Sequence, residues 1–568
     1  MFIKLKKYIK DSQKFLSANK YNLIFLLILT LYAYHGLWKT FFFADAWQVI
    51  GSYPLLKDYG VSYFFQLFAM PYGIHFVPLG ILISTAESYF FGVNPFGYGV
   101  LSLSLHLANI FLVYYSIIQI TKNKKISFLA GAFFAVNYPI REGVFWFASN
   151  TWIELCTFFV LLGLIQFNKF YITKKTGALL SAFFLFFISI FFKEYSFMLI
   201  FISMVFLIYL YIKEKEKKYL LFISLSFMVL IFYSLFRLDI LHTVNSSVIS
   251  TFNFHLIYLI QWNTLTLPAK TLGAILLPQG WILQMSTFIA HHIYIQLDIA
   301  QTPVFITVLF YDQLYIFFGF IFLLLSICLY IYLKIKSIAK VQHFTLLLYG
   351  ISFYFIPIVF LSLNGYQYWI YSRYLYLPSA VYLIFIASTV GFIPIFKGAN
   401  KLSSTVFCFC LIFILIHAYL NHAFLVGFIN EGNYRLHIVQ NVSKRLDFNK
   451  KQQIVYIKTN SGGYSNGNDI FGMGTSFGKE LLIWNWFQND NKEKIPRCLY
   501  SPEFLFKEPI NDYKGCDGKG YGYFQDLTKL KQTLKKYHLS IKDVVALSYD
   551  KNSDTFIDIH SELEKKLY

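Results

Sequence analysis

Charge is what this sequence holds least of. Only 14% of its 568 residues are Asp, Glu, Lys or Arg, against 57% hydrophobic and 21% aromatic. A soluble domain carries about 25% charged residues, so a chain this poor in charge cannot clothe a water-facing surface along its whole length. Acidic residues are the scarcer sign, 29 against 49 basic, leaving a net charge of +20. That excess does not point to nucleic acid, because the lysines cluster between apolar runs, where they set membrane orientation. Cysteine is limited to six residues with no metal-binding spacing. Cys156, Cys328, Cys408 and Cys410 lie in apolar runs and read as small hydrophobes. Cys498 and Cys516 are the pair in the polar tail, a candidate disulfide if that tail is extracytoplasmic.

Other signatures are missing too. No small-x-small cleavage site ends the first apolar run, which argues against a removable signal peptide. No tandem repeat is evident. Ser461-Gly462-Gly463 and Gly472-Met473-Gly474 lack the strand–loop–helix setting of a nucleotide fingerprint and read as turns. His291-His292 is an isolated pair without spaced acidic partners, a weak basis for a metal site. Asn245-Ser246-Ser247 and Asn441-Val442-Ser443 match a glycosylation sequon, a pattern short enough to arise by chance.

What is present is length of apolar chain, with a mean hydropathy of +0.53. Taking ~20 residues as one crossing, about eleven transmembrane helices are expected. Their cores are 21–43, 98–120, 126–140, 146–168, 178–192, 195–212, 219–237, 313–334, 343–363, 374–396 and 402–425, with 126–140 and 178–192 the shortest. If the Lys-rich N-terminus is cytoplasmic, alternation puts Thr121 to Lys125, Lys174-Lys175, Lys213 to Lys218, Lys334 to Lys340 and Lys397 to Lys401 on that same side, as the positive-inside rule requires. This holds only if residues 75–91 lie along the outer interface as a helix instead of crossing. A multi-pass protein of the plasma (inner) membrane is expected, with a membrane domain at 1–425. Its outer face carries a first loop at 44–97 and a large loop at 238–312, the latter containing re-entrant or interfacial segments.

Residues 426–568 change composition: Gly, Asn, Asp and Lys return. Strands are expected at Gln453 to Lys458, Val544 to Ser548 and Thr555 to Ile559, and helices at Lys479 to Phe487 and Lys529 to Lys536. The fold class is therefore an all-α polytopic membrane domain followed by a small extracytoplasmic α/β domain.

Ionisable residues at the outer ends of spans carry the chemical signal. Asp45 follows the first helix in an aromatic setting, where desolvation would raise its pKa toward that of a general base; the alternative is a solvated residue capping a short helix. Arg141-Glu142 sit between two runs too close for a real loop. Lys193-Glu194 interrupt a nearly continuous apolar stretch, where an unpaired charge costs roughly 2.5–3.5 kcal/mol on insertion scales; the alternative is a tight hairpin whose charges reach water. Arg373 starts a span from the outside, and its fork suits a lipid phosphate, or it is an interfacial anchor among tyrosines.

The order of these stretches resembles the GT-C superfamily of polyprenyl-phosphate-sugar-dependent glycosyltransferases. Closest in pattern are protein O-mannosyltransferase-like proteins, including bacterial relatives of the tetratricopeptide-tailed transmembrane mannosyltransferases. Five stretches carry the resemblance, from about 40 to 390: Asp45 after the first helix; His75 to Leu79 with Gly92 to Tyr98, leading to Leu105 to Asn109; Tyr138 to Trp146; Phe192-Lys193-Glu194; and Arg373 to Pro378. Tyr138 stands where the family usually has His, and Glu142 adjoins Arg141 instead of standing two positions on. The resemblance implies inverting transfer outside the membrane from a lipid-linked sugar phosphate to a hydroxyl of a protein, glycan or lipid. Asp45 would be the general base. Arg141, Lys193, Arg373 and His75 would bind the donor phosphate, and Glu142 and Glu194 would orient the cations or the acceptor. No cofactor is implied with certainty; metal dependence varies across the superfamily, and no ligand cluster stands out. A lipid-linked glycan flippase or transporter, or a non-catalytic scaffold, are the alternatives; no internal symmetry of the kind transporters show is visible.

Overall fold

A computed structural model describes the chain except residues 1, 44, 70–75, 245–265, 298–302, 337, 339–341, 360–371, 394–400, 448–449, 460–476, 489–493, 501–510, 551–552, 554 and 568. His75, the two Gly-rich stretches of the tail and the sequon at Asn245 therefore lie outside the described residues.

Each of the eleven apolar runs holds a helix among its described residues. In chain order the helices are α1 (Phe2–Ala33), α2 (Asp45–Ile50), α3 (Ser52–Ala69), α4 (Pro78–Phe91), α5 (Pro95–Thr121), α6 (Lys124–Val136), α7 (Glu142–Phe145), α8 (Asn150–Thr173), α9 (Thr176–Ile190), α10 (Phe197–Glu214), α11 (Lys217–Val244), α12 (Thr266–Leu276), α13 (Gln279–Leu297), α14 (Pro303–Ile335), α15 (His343–Phe355), α16 (Tyr376–Gly391) and α17 (Lys401–Ser443). Among the described residues, eight are long and apolar enough to cross a membrane, or nine if the bent pair α12–α13 is one span. The difference from eleven lies in α6, α9 and α15, of 13, 15 and 13 residues. At 1.5 Å per residue they reach about 20–23 Å, short of a ~30 Å hydrocarbon core. Within 238–312, where re-entrant or interfacial segments are expected, α12 and α13 meet at a 111° bend around Leu277-Pro278, the shape of a broken span or of a re-entrant loop. The helix expected at 75–91 is α4, and it is not among the candidate spans.

The lysine turns gather at one end of the bundle. Lys122, Lys174 and Lys215 each close a helix in the left-handed region, at φ 59°, 56° and 57°. Each donates its N–H to a carbonyl four residues back, the cap that glycine usually makes. Lys174 pairs with Glu214 at 2.6 Å, joining two of these turns. Lys124 Nζ donates to the Ala18 carbonyl at 2.9 Å, which puts the N-terminal half of α1 at the same end.

The tail opens with β1 (Gln452–Thr459), followed by α18 (Phe477–Gln488), β2 (Asp512–Cys516), β3 (Lys519–Phe524), α19 (Leu527–Lys536), β4 (Val544–Asp550), β5 (Thr555–Asp558) and α20 (His560–Leu567). The sheet order is β2-β3-β1-β4-β5, with β1 parallel to both neighbours and the outer pairs antiparallel. Central β1 buries both faces, as an inner parallel strand must. Ile454 and Tyr456 pack with Leu530 of α19 and Leu563 of α20, while Val455 and Ile457 join the core shared with α18 and the bundle. Sequence reading found β1, α18, α19, β4 and β5 but not the β2–β3 hairpin or α20. The hairpin is tied by a Cys498–Cys516 disulfide, the pair expected.

The tail is fixed to the membrane domain through polar contacts. Arg435 of α17 makes a fully buried bidentate pair with Glu480 of α18. Asp58 of α3 accepts from Trp486 Nε1 at 3.2 Å and Ile495 N at 3.1 Å, and Tyr59 OH donates to the Ile495 carbonyl at 2.6 Å. The first loop and the tail therefore share the end opposite the lysine turns.

Candidate functional site

The turn Tyr138–Ile140, the short α7 and the turn Ser372–Leu375 are stitched together at the end of the bundle opposite the lysines. Ser372 Oγ donates to the Pro139 carbonyl and accepts from Glu142 N at 3.3 Å. The Glu142 carboxylate accepts from Arg373 N at 3.4 Å. Gly143 permits this contact: a Cβ there would stand 2.6 Å from the Tyr376 ring.

Three of the expected cations meet at this junction. Arg141 is buried, its guanidinium 4.0 Å from the Tyr138 ring centre and 4.5 Å from that of Phe424. Its Nη1 donates to the Tyr138 carbonyl, while Nε has no hydrogen-bond partner among the described residues. Lys193 and Arg373 both approach the Tyr374 ring, each at 5.6 Å, and Arg373 also lies over Trp146 at 5.4 Å. The alternative of a Lys193-Glu194 hairpin reaching water is overturned: the two residues are 2% and 1% exposed. They are buried because α9 ends at Ile190 and the chain turns inward under α4, whose Leu79 N donates to the Phe191 carbonyl at 3.1 Å. Glu194 accepts from Phe76 N at 2.9 Å, so its carboxylate fixes the segment directly after His75.

Asp45 begins α2 and is half-buried. An aromatic wall connects its surroundings to the cations. Phe43 meets Phe428 at 4.2 Å, Phe428 meets Phe145 at 4.6 Å, and Phe145 meets Phe424, against which Arg141 packs. Asp45 and the cations thus share one end of the bundle, related through this wall.

The site is larger than the sequence indicated. A recess is lined by Arg141, Ser372, Lys270, Gln279, Tyr311 and Tyr315, among others. Lys270 of α12 is paired with Asp312 of α14, both buried. The helices approach closely because Gly273 and Gly319 face backbone: a Cβ on Gly319 would lie 1.7 Å from the Ala269 carbonyl oxygen. Lys270 and Asp312 interrupt apolar stretches just as Lys193 does, and the same rule applied there would have singled them out. A second buried set lies behind the turn. Ser102 Oγ is 2.9 Å from Glu154 Oε1, Asn109 Nδ2 donates to the Glu154 carbonyl, and His106 Nδ1 is 2.6 Å from Tyr376 OH. In α4, Glu87 and Ser84 face inward onto Thr151 and Trp152. Burial pushes the Glu87 carboxyl up to about 7, against the opposing effect of its hydroxyl donors.

His291 and His292 are exposed on α13, and no group of three or more His, Cys, Asp or Glu placed to hold a metal occurs among the described residues. Chemically, the arrangement offers positive charge and aromatic faces in a dry setting, with the half-buried Asp45 carboxylate at the same end of the bundle. No protein-family profile matches the chain, and no curated protein matches it at a significant level.

Proposed function

We propose that this chain is a membrane glycosyltransferase that moves a sugar from a polyprenyl-phosphate-linked donor to an acceptor hydroxyl, with inversion, on the extracytoplasmic face. The observation that carries the reading is the convergence of Arg141, Lys193 and Arg373 on the Tyr138–Trp146 and Ser372–Tyr376 turns. Breaking a glycosyl–phosphate bond releases a stable anion, so the main demand on the protein is fixed positive charge where that anion departs. Arg141 and Arg373 offer planar forks for phosphate oxygens, and Lys193 a point charge held away from water. Glu142 and Glu194 fix the chain on either side of these cations. Asp45 takes the proton from the acceptor oxygen as it attacks the anomeric carbon, and the phosphate leaves with the bonding pair. In this reading all eleven apolar runs cross, the short α6, α9 and α15 completing their crossings with the turns that follow them, the lysine turns are cytoplasmic, and the α/β domain 426–568 stands outside.

The test is consumption of polyprenyl-phosphate hexoses by the purified protein in nanodiscs. Asp45→Asn is expected to lower transfer by about 10²–10⁴-fold with an unchanged melting temperature. Unchanged transfer in that variant would remove Asp45 as the base, and failure to consume any donor would remove the enzyme reading. The bent α12–α13 pair favours a second reading, a lipid-linked glycan flippase, since broken helices line many transport sites. Donor movement between leaflets without release of polyprenyl phosphate would select it.

A further inference from the structure

The tail carries a second cationic recess, separate from the membrane turns. Pairing of β1 with β3 sets Gln452 opposite Gly520, and Gly520 N donates to the Lys451 carbonyl at 2.9 Å. This register brings Lys450 and Lys451 alongside Lys519. From a different part of the chain, Lys494 joins them, positioned because its neighbour Ile495 is held by Asp58 and Tyr59 of α3. The four lysines border a recess floored by buried Trp486 and Tyr521. None of the described residues lining it is acidic.

This clustering is not a by-product of a basic domain. Residues 426–568 hold 21 Lys and Arg against 17 Asp and Glu, so four lysines around one recess is a local concentration. Like charges focused into a concavity with apolar walls raise the local concentration of anions. Lysines offer adaptable point charges suited to phosphate, where a planar fork is not required.

Position decides between a soluble anion and a lipid headgroup. At 43 residues, α17 is about 65 Å long, more than twice the ~30 Å apolar core. Its apolar part gives way at Asn430-Glu431. Ser443, which donates to Asn485 on the rim of the recess, lies about 20 Å farther along the axis. In the proposed topology, with α17 running along the membrane normal, a headgroup in the bilayer does not reach that height.

We propose that this recess binds a soluble, phosphate-bearing polyanion, and so gives the tail a ligand of its own. The assignment stands whether or not the membrane domain transfers sugar, and its test does not use transfer. Full-length protein in phosphatidylcholine nanodiscs is titrated calorimetrically with a glycerol-phosphate hexamer and, as the neutral control, maltohexaose. The hexamer is expected to bind one to one, more weakly as salt rises, and maltohexaose not at all. A Lys451→Gln/Lys494→Gln variant, changed only at exposed positions, is expected to keep its melting temperature and bind at least about tenfold more weakly. No hexamer binding, undiminished binding in the double variant, or lysine-dependent retention of phosphatidylglycerol without hexamer binding each overturns the assignment.

Discussion

Buried ionisable side chains set the character of this protein, and they differ in how each is compensated. Glu87 is met by hydroxyl donors: Thr151 Oγ1 donates to it at 2.7 Å. Because its folded pKa of about 7 lies above the ordinary 4.5, the folded state binds the proton more tightly. Its contribution to stability is therefore complete below about pH 4.5 and is lost as pH rises through 7. Thermal unfolding of the wild type, compared with Glu87→Gln between pH 5 and 8, should show a relative loss in the wild type of up to about 3 kcal/mol. Equal pH profiles would mean that Glu87 is ionised in the fold without penalty. Asp58 shows the same upward push from burial, opposed by its hydrogen bonds from Ile495 and Trp486. Lys193 and Arg141 were legible in the sequence because a charge inside an apolar run is costly wherever it falls. What the sequence did not reveal is that Lys193 is sealed by protein instead of reaching water.

Pairs of elements depend on a few contacts that tolerate little change. The Arg435–Glu480 pair is almost completely buried between α17 and α18. Removing one member strands the other charge, so Arg435→Ala is expected to destabilise the tail's attachment by about 3–5 kcal/mol. Limited proteolysis near the α17–β1 connection checks this; wild-type resistance in the variant would show that other contacts suffice. The approach of α12 to α14 depends on Gly319, where an added methyl would meet backbone and has no side chain to displace. Gly319→Ala should separate the helices and break the Lys270–Asp312 pair, lowering the melting temperature in detergent by several degrees. Gly427→Ala, in a helix with open space at that position, is the matched control. Periodicity identified most of these helices. It could not identify the β2–β3 hairpin, whose Gly-rich alternation of Lys519 to Phe524 lacks a continuous apolar signal, nor which glycines face a neighbour.

The whole molecule has two chemically distinct ends. One gathers the lysine turns and the N-terminal half of α1; the other gathers the cationic site, helices α2 to α4 and the α/β tail. Single cysteines are placed at Asn123, in the turn between α5 and α6, and at Lys531 of α19, in a background lacking the four free cysteines. They should label from opposite sides of sealed vesicles with a membrane-impermeant thiol reagent. Labelling from the same side would mean an even number of crossings between the two positions and would overturn the proposed topology.

Local composition and length were enough to dictate that the chain belongs in a membrane, where its apolar runs lie, which loops carry positive charge, and that a polar α/β unit follows. A bilayer reads those properties one segment at a time, so they are written in consecutive residues. Packing alone settled that α12 and α13 meet at a sharp bend, that Lys270, paired with Asp312, joins the recess beside Arg141, and that Lys450, Lys451, Lys494 and Lys519 border a second one. Those sites are assembled from residues tens to hundreds of positions apart, and a convergence of that kind leaves no trace in any single stretch of chain.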